Sequence, residues 1–305
     1  MAAIAACPLR AFAVPLLVAL SVPTWAATAQ RTFVASTGSD ANPCSVAQPC
    51  RSFAHAITQT NVGGEVIVID SAGYGPVSIA KSITLAAPSG VYAGVSVTSG
   101  SGITVSGAGI AVTLRGLTIN GQGGINGITF SQGSRLNVED CEIAGFSANG
   151  IAITAPSSMV TIRNTGARNN AGSGVSISAT ASIQASLDGV RLVDNGLNGL
   201  YATGPAFVTI VSSIVEGNGI GVHADAANIF ITLIIASHNK IMRNTTGVQA
   251  NATMAMGQVF LDSNLLARNG TAVSVDFESS GYTYQNNTYT ANSSDGTSLL
   301  PQSVK

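Results

Sequence analysis

An asparagine stands at Asn170, Asn195, Asn218, Asn244 and Asn269, so the same residue returns at intervals of 25, 23, 26 and 25 residues. Phe146 and Gln122 continue the column backwards at 24-residue steps, so that one register spans nearly half of the 305 residues. A period of roughly 20 to 50 residues sustained over several copies calls for stacked supersecondary units, because one unit alone cannot bury its apolar face. The asparagine column therefore limits the architecture before any single residue is given a role.

Two aliphatic columns run on the same frame. Leu114, Val138, Ile162, Leu187, Ile210, Ala236 and Leu261 stand eight residues before the column, and Ile119, Ile143, Ala167, Leu192, Val215, Ile241 and Leu266 stand three before it. A further short segment follows the column as NGITF at Asn126, NGIAI at Asn149, SGVSI at Ser173, NGLYA at Asn198, IGVHA at Ile220, TGVQA at Thr246 and TAVSV at Thr271. Alternating β-branched residues between Gly, Pro and Ser are strand and turn signals. Three short strands per repeat, with no helix between them, predict an all-β, single-stranded parallel coil in which like residues lie about 4.8 Å apart. In such a coil Asn170, Asn195, Asn218, Asn244 and Asn269 read as a structural ladder, each amide bonding the turns above and below. The glycines before the third strands read as positions whose turn conformation other residues resist.

The beginning of the chain has a different character. Arg10 precedes an apolar run from Ala11 to Val22, then Pro23 and Ala26-Ala27-Thr28-Ala29, the pattern of a secretory signal cleaved after Ala29. The run is short of the roughly 20 residues that span a bilayer, so no membrane insertion of the mature chain is expected. Export permits disulfides, and Cys44 and Cys50 bracket the loop NPCSVAQPC and are expected to pair. Cys141 falls inside the repeat, as a small core residue. Arg51 to Gln59 places Phe53, Ala56 and Ile57 on one helical face, a short helix suited to covering the open strand edges at the end of a coil. The expected organisation is a signal over 1–29, an N-terminal cap with disulfide loop and helix over 30–64, β-helix turns over 65–280, and a C-terminal cap and tail over 281–305. Tyr282, Tyr284 and Tyr289 are expected to stack over the last turn.

The segments FVASTGSDANPCSVAQPCRSFAHAI from Phe33, GGEV from Gly63 and GYTYQNNTYTANSSDG from Gly281 carry a family resemblance. From about Arg31 onward the chain resembles the right-handed parallel β-helix proteins of the pectate-lyase-like superfamily, and more closely a group of exported bacterial single-domain β-helix proteins. The resemblance implies a right-handed coil and a secreted or periplasmic location, and no particular activity. Marks of the enzymatic branches are missing from the sequence: the hydrolases' Asn-x-Asp, Asp-Asp, Gly-His-Gly and Arg-x-Lys series, the lyases' acidic calcium cluster beside a basic proton acceptor, and the epimerases' Tyr-Gly-x-Asp-Pro-His run.

Charged residues make up only 9 % and the net charge is −1, against about 25 % charged residues in an average protein. Nothing provides the basic field that nucleic acid requires. Chemistry is therefore sought on the outward positions of the third strands. Two residues after the glycine these are Thr129, Ala152, Ser176, Tyr201, His223, Gln249 and Ser274; four after, they are Ser131, Thr154, Ser178, Thr203, Asp225, Asn251 and Asp276. From Tyr201 onward the face is chemically able. Asp225 on the strand of His223 is expected to orient the imidazole and raise its pKa, and Asp225 and Asp276 sit two turns apart, roughly 9–10 Å between backbones, which brackets the upper end of the carboxyl separation used by inverting glycosidases.

Tyr201, His223, Asp225 and Asp276 are thus the candidate catalytic residues. Gln249 and Asn251, with Arg243 and Arg268 stacked beside the asparagine column and suited to a carboxylate or sulfate, are the candidate ligand-binding residues. A solvated strand face also needs polar residues, and turn positions also carry long charged side chains. Glu139, Asp140 and Glu142 in VEDCEI fall short of the six to eight oxygens that calcium takes, and neither a metal nor a cofactor is expected. The favoured function is a non-catalytic carbohydrate-contacting or surface-associated module with a polysaccharide partner; the alternatives are a divergent polysaccharide lyase or glycoside hydrolase and a structural adhesin-like spacer.

Overall fold

The computed structural model describes Ala2 and residues 29–178, 180–226, 230–252 and 256–302. The signal read over 1–29 lies outside them except at its Ala2 and Ala29. Among the described residues the strands form three parallel sheets of 12, 10 and 10 strands, and each strand pairs with its counterpart one turn away. Sheet 1 has the longest strands, sheet 2 mostly strands of three residues such as Glu142–Ala144 and Arg191–Val193, and sheet 3 the segments that follow the asparagine column. The expected all-β parallel solenoid is thus the observed fold.

Its core is the two predicted aliphatic columns plus a third. In sheet 1, Leu114, Val138, Ile162, Leu187 and Ile210 pair in register and are buried. Ile119, Ile143, Ala167 and Leu192 do the same in sheet 2, and Ile128, Ile151, Val175, Leu200, Val222, Val248 and Val273 in sheet 3. Burying each such side chain contributes about 1.5–3 kcal/mol, and the stack is held by contacts between neighbouring turns.

Two sharp corners per turn join the sheets, each made by one residue in the left-handed region. Between sheets 1 and 2 these include Gly116, Asp140, Asn164, Gly189, Ser212, His238 and Ser263; between sheets 2 and 3, Gly145, Asn169, Asp194, Gly217, Arg243, Arg268 and Ala291. The non-glycine members each cost about 1–2 kcal/mol, and the ladder beside them offsets this. Asn170, Asn195, Asn218, Asn244 and Asn269 are all at most 3 % exposed. Each Oδ1 from Asn195 to Asn269 accepts from both the backbone N–H and the amide of the asparagine one turn below, at 2.9–3.3 Å. The amides of Asn195, Asn218, Asn244 and Asn269 also donate to the backbone carbonyls of Ala167, Leu192, Val215 and Ile241.

The column differs from its sequence reading at three points. Asn292 extends it by one turn. Phe146 joins it as a buried residue whose N–H donates to Asn170, whereas Gln122 is exposed beside a differently shaped turn with Gly123 at φ 110°. A second ladder, Asn239–Asn264–Asn287, runs along the other corner, with Ser213 donating into its start.

The glycines before the third strands have a different cause from the one expected. Gly174 and Gly221 do not have positive φ; a Cβ on Gly221 would lie 2.4 Å from the Gly247 oxygen and 3.0 Å from the Asn244 amide nitrogen. The backbone oxygen of the next turn, with the ladder amide beside it, lies too close for a side chain, so space and not backbone conformation selects glycine.

At the N-terminal end the strand Ala29–Val34 pairs with Thr60–Val68, and between them lie the Cys44–Cys50 disulfide and the helix Phe53–Gln59. Ser52 caps that helix by accepting from the His55 N–H, and Phe53, Ala56 and Ile57 are its buried residues. The segment set apart as a C-terminal cap adds further strands to all three sheets. Its tyrosines divide: Tyr282 stacks on Phe260 with ring centroids 4.5 Å apart, Tyr289 packs on the core, and Tyr284 is exposed. Cys141 is buried with its thiol pushed up to about 12 by desolvation. No helix among the described residues is long and apolar enough to cross a membrane.

Candidate functional site

The outward face of sheet 3 brings two of the sequence rows into register. Thr129, Ala152, Ser176, Tyr201, His223, Gln249 and Ser274 pair one after another, and Ser178, Thr203, Asp225 and Asn251 form the adjacent row. Parallel pairing holds each row at the inter-strand spacing of about 4.8 Å. A groove of about 670 Å³ runs over this face, lined by Ser176, Leu197, Tyr201, Ile220, His223, Asp225 and Gln249 among others.

His223 is the centre of the arrangement. Its Nε2 lies 2.6 Å from Asn251 Oδ1 and its Nδ1 lies 3.1 Å from Asn198 Oδ1. The Asn251 amide in turn donates to Asp225 Oδ1 at 3.4 Å, and the Tyr201 hydroxyl donates to Asp225 Oδ2 at 2.7 Å. The Tyr201 and His223 rings meet edge to face, centroids 5.2 Å apart. Because the Asn251 amide nitrogen faces a carboxylate, its oxygen must face His223, and Nε2 therefore carries a proton. Nδ1 then has two options: an imidazolium donates to Asn198 Oδ1, or a neutral ring accepts from a reversed Asn198 amide whose oxygen takes the Ser173 hydroxyl proton.

Burial holds the His223 pKa below its usual 6.5, against smaller upward contributions from the Asn251 bond and the Asp225 charge. Asp225 raises it, as expected, but burial outweighs that contribution and the net shift is downward. The carboxylate is engaged by Tyr201 and Asn251 and touches the ring only through them. Tyr201 is pushed up to about 12, first by burial and then by its bond to Asp225, so its phenol stays a proton donor.

Asp276 does not join the cluster. Asn251 stands in the turn between it and Asp225, and its own Oδ2 accepts from the Ala252 N–H at 2.8 Å. Gln249 lines the groove, whereas Arg243 and Arg268 occupy left-handed corner positions and do not line it. Arg243 is ion-paired with Glu216, which satisfies the charge that was read as a grip for an anion. The acidic run is likewise paired, Glu139 with Arg115 and Glu142 with Arg168, while Asp140 forms a corner. One group of potential metal ligands is close-set among the described residues, Cys44, Cys50 and His55, and its two sulfurs form the disulfide.

Sequence reasoning missed Asn198, Ser173, Asn149 and Asn126, which continue the hydrogen bonds down the coil. The Asn198 amide donates to Ser173 Oγ, the Ser173 N–H to Asn149 Oδ1, and the Asn149 N–H to Asn126 Oδ1. The signal was the polar residue preceding the glycine in most of the third strands, at Asn126, Asn149, Ser173 and Asn198, with Ile220 breaking the row on the strand of His223. A connected polar chain thus passes through six turns from Asn126 to Asn251, roughly 24 Å of axis.

The family described as Right handed beta helix region matches residues 66–215. No curated protein sequence matches. Among solved structures, the pectate lyase Pel9A is similar with a TM-score of 0.75 and 18 % identity, over 90 % of this chain and 80 % of that one. An alginate lyase from Paenibacillus sp. gives a TM-score of 0.64 and 14 % identity, over 87 % of this chain and 99 % of that one. The enzymatically active domain of tailspike protein 2 of bacteriophage CBA120 gives 0.61 and 12 % identity, over 85 % of this chain and 42 % of that one. At these identities the likeness is one of fold, and together with the sequence match it makes the chain a right-handed parallel β-helix protein.

Proposed function

We propose that the protein is an exported, non-catalytic module that holds a polysaccharide in the groove of sheet 3. The observation that carries this is the connected chain of polar side-chain and backbone groups from Asn126 to Asn251 beside that groove. Such a chain is preorganised, so little side-chain entropy is lost when an extended, hydroxyl-rich polymer lies along it. Leu197, which is 61 % exposed, and Ile220 add apolar contacts for the C–H faces of sugar rings. The named lyases among the structural neighbours support the polysaccharide class.

The alternative, a lyase or hydrolase using Tyr201, His223, Asp225 and Asp276, is disfavoured by the same bonds. A general base needs a lone pair directed at substrate, whereas both His223 nitrogens are engaged within the protein, the Tyr201 proton is given to Asp225, and Asp276 is turned onto the Ala252 N–H. The signal pattern and the disulfide favour export.

The test is to incubate the mature protein with uronate-rich and neutral polysaccharides, following binding, new reducing ends and unsaturated-uronate absorbance together. Binding without turnover, weakened in Asn251→Ala, is the expected result. Turnover that disappears in the His223→Ala, Asp225→Ala double variant replaces the module with an enzyme.

A further inference from the structure

We infer that the groove selects an uncharged polysaccharide and rejects polyuronates. This rests on the groove being the saccharide site, and it adds the chemical class of the polymer.

The inference comes from how charge is distributed around sheet 3. Of the residues lining the groove, Asp225 is the one with a formal charge, and among the described residues no lysine or arginine lines it. His223, the other titratable group able to become cationic, is held towards its neutral form by burial. The connections leaving sheet 3 for sheet 1 lengthen this pattern. The connections between Ile153 and Met159 and between Thr203 and Ala206 contain no charged residue. The connection from Val275 to Ser280 contains two, Asp276 and Glu278, both acidic. On the opposite flank, at the corner from sheet 2, Arg243 is taken up by Glu216 and Arg268 stands outside the lining.

A polyuronate brings one carboxylate per sugar, and each one buried against a neutral or acidic wall loses hydration without gaining a cationic partner. Recognition of carboxylates ordinarily uses arginine or lysine for this reason. Sugar hydroxyls have the opposite requirement. They donate to the Asp225 carboxylate and to amide oxygens and accept from amide N–H groups, and Gln249, Ser176, Thr245 and Thr246 offer further partners in the lining. The wall is thus built for hydroxyl groups, with apolar contact from Leu197, Ile220 and the Tyr201 ring.

The experiment measures binding of the mature protein to neutral polymers (a galactomannan, a β-glucan) and to polygalacturonate and alginate. Each is run at ionic strengths of about 0.01 M and about 0.15 M, where the screening length falls from about 30 Å to about 8 Å. The expected result is neutral-polymer affinity at least about tenfold above that for either polyuronate and unchanged by salt. Ser176→Arg, which places a cation on the outward row beside Tyr201, is expected to gain polyuronate binding that salt weakens, with circular dichroism confirming an intact coil. Polyuronate binding that exceeds neutral-polymer binding and is lost in Asn251→Ala overturns the inference while leaving the groove as the saccharide site. Binding to neither polymer, or binding indifferent to Asn251→Ala and His223→Ala, overturns the groove itself as the site, and the inference falls with it.

Discussion

Two asparagine-rich hydrogen-bond chains run along the axis of this coil, an inner one fully buried at a corner and an outer one along sheet 3, where Ser173 and Asn198 are buried but Asn126, Asn149, His223 and Asn251 are part-exposed. In the inner chain every turn repeats the same residue, at most 3 % exposed from Asn170 to Asn269. In the outer chain the residues change from turn to turn, from Asn126, Asn149 and Ser173 to Asn198, His223 and Asn251. The translation is the same, yet the consequences differ because water can replace a lost partner in one chain and not in the other. Inside, uniformity satisfies corner backbone groups that have no other partner; outside, variety produces a surface that a ligand can distinguish.

The largest expected effect falls on the inner chain. Asn218→Ala removes the acceptor for the Asn195 N–H and amide and the donor to Leu192, Glu216 and Asn244. At about 1–3 kcal/mol per orphaned buried group, chemical denaturation is expected to report a loss of about 3 kcal/mol or more. Asn251→Ala on the outer chain is expected to cost less than about 1 kcal/mol in the same assay while weakening polysaccharide binding at least about tenfold. Comparable stability losses in the two variants would erase the distinction.

A smaller effect follows from acidification. His223 has its folded pKa below the unfolded value of 6.5. Its contribution to stability is therefore complete above pH 6.5 and is lost as pH falls towards the folded pKa. An NMR titration of the ring is expected to show a midpoint below 6.5, and His223→Gln is expected to flatten that part of the stability profile. A midpoint above 6.5 would mean that Asp225 outweighs burial. The smallest effect is expected at Cys141, whose thiol is pushed up to about 12. A thiol reagent at mildly alkaline pH should leave it unmodified until denaturant unfolds the chain, because the thiolate is the reactive form.

Much of the inner chain was legible from the sequence, since a buried position tolerates few residue types and so repeats them. The aliphatic columns and the Asn170–Asn269 column carried through to the core and to the corner between sheets 2 and 3. The second ladder escaped notice because its column begins with Cys141, Thr165, Val190 and Ser213 before becoming Asn239, Asn264 and Asn287. The outer face was legible only as a set of rows. Period-two alternation placed Tyr201, His223, Asp225, Gln249 and Asn251 on one side of the strands, but it did not reveal which atoms would meet.

The sequence by itself determined the repeat, the strand order and the inward faces, because these follow from hydrophobic periodicity and from residues that must recur once per turn. Only the tertiary structure decided the hydrogen-bond partners at the groove. A side chain on an outward row can reach the turn above, the turn below or its own strand, and these options differ by less than the local sequence can encode. That choice separated His223 from Asp225, joined it to Asn198 and Asn251, turned Asp276 onto the backbone of Ala252, and left Arg243 paired with Glu216.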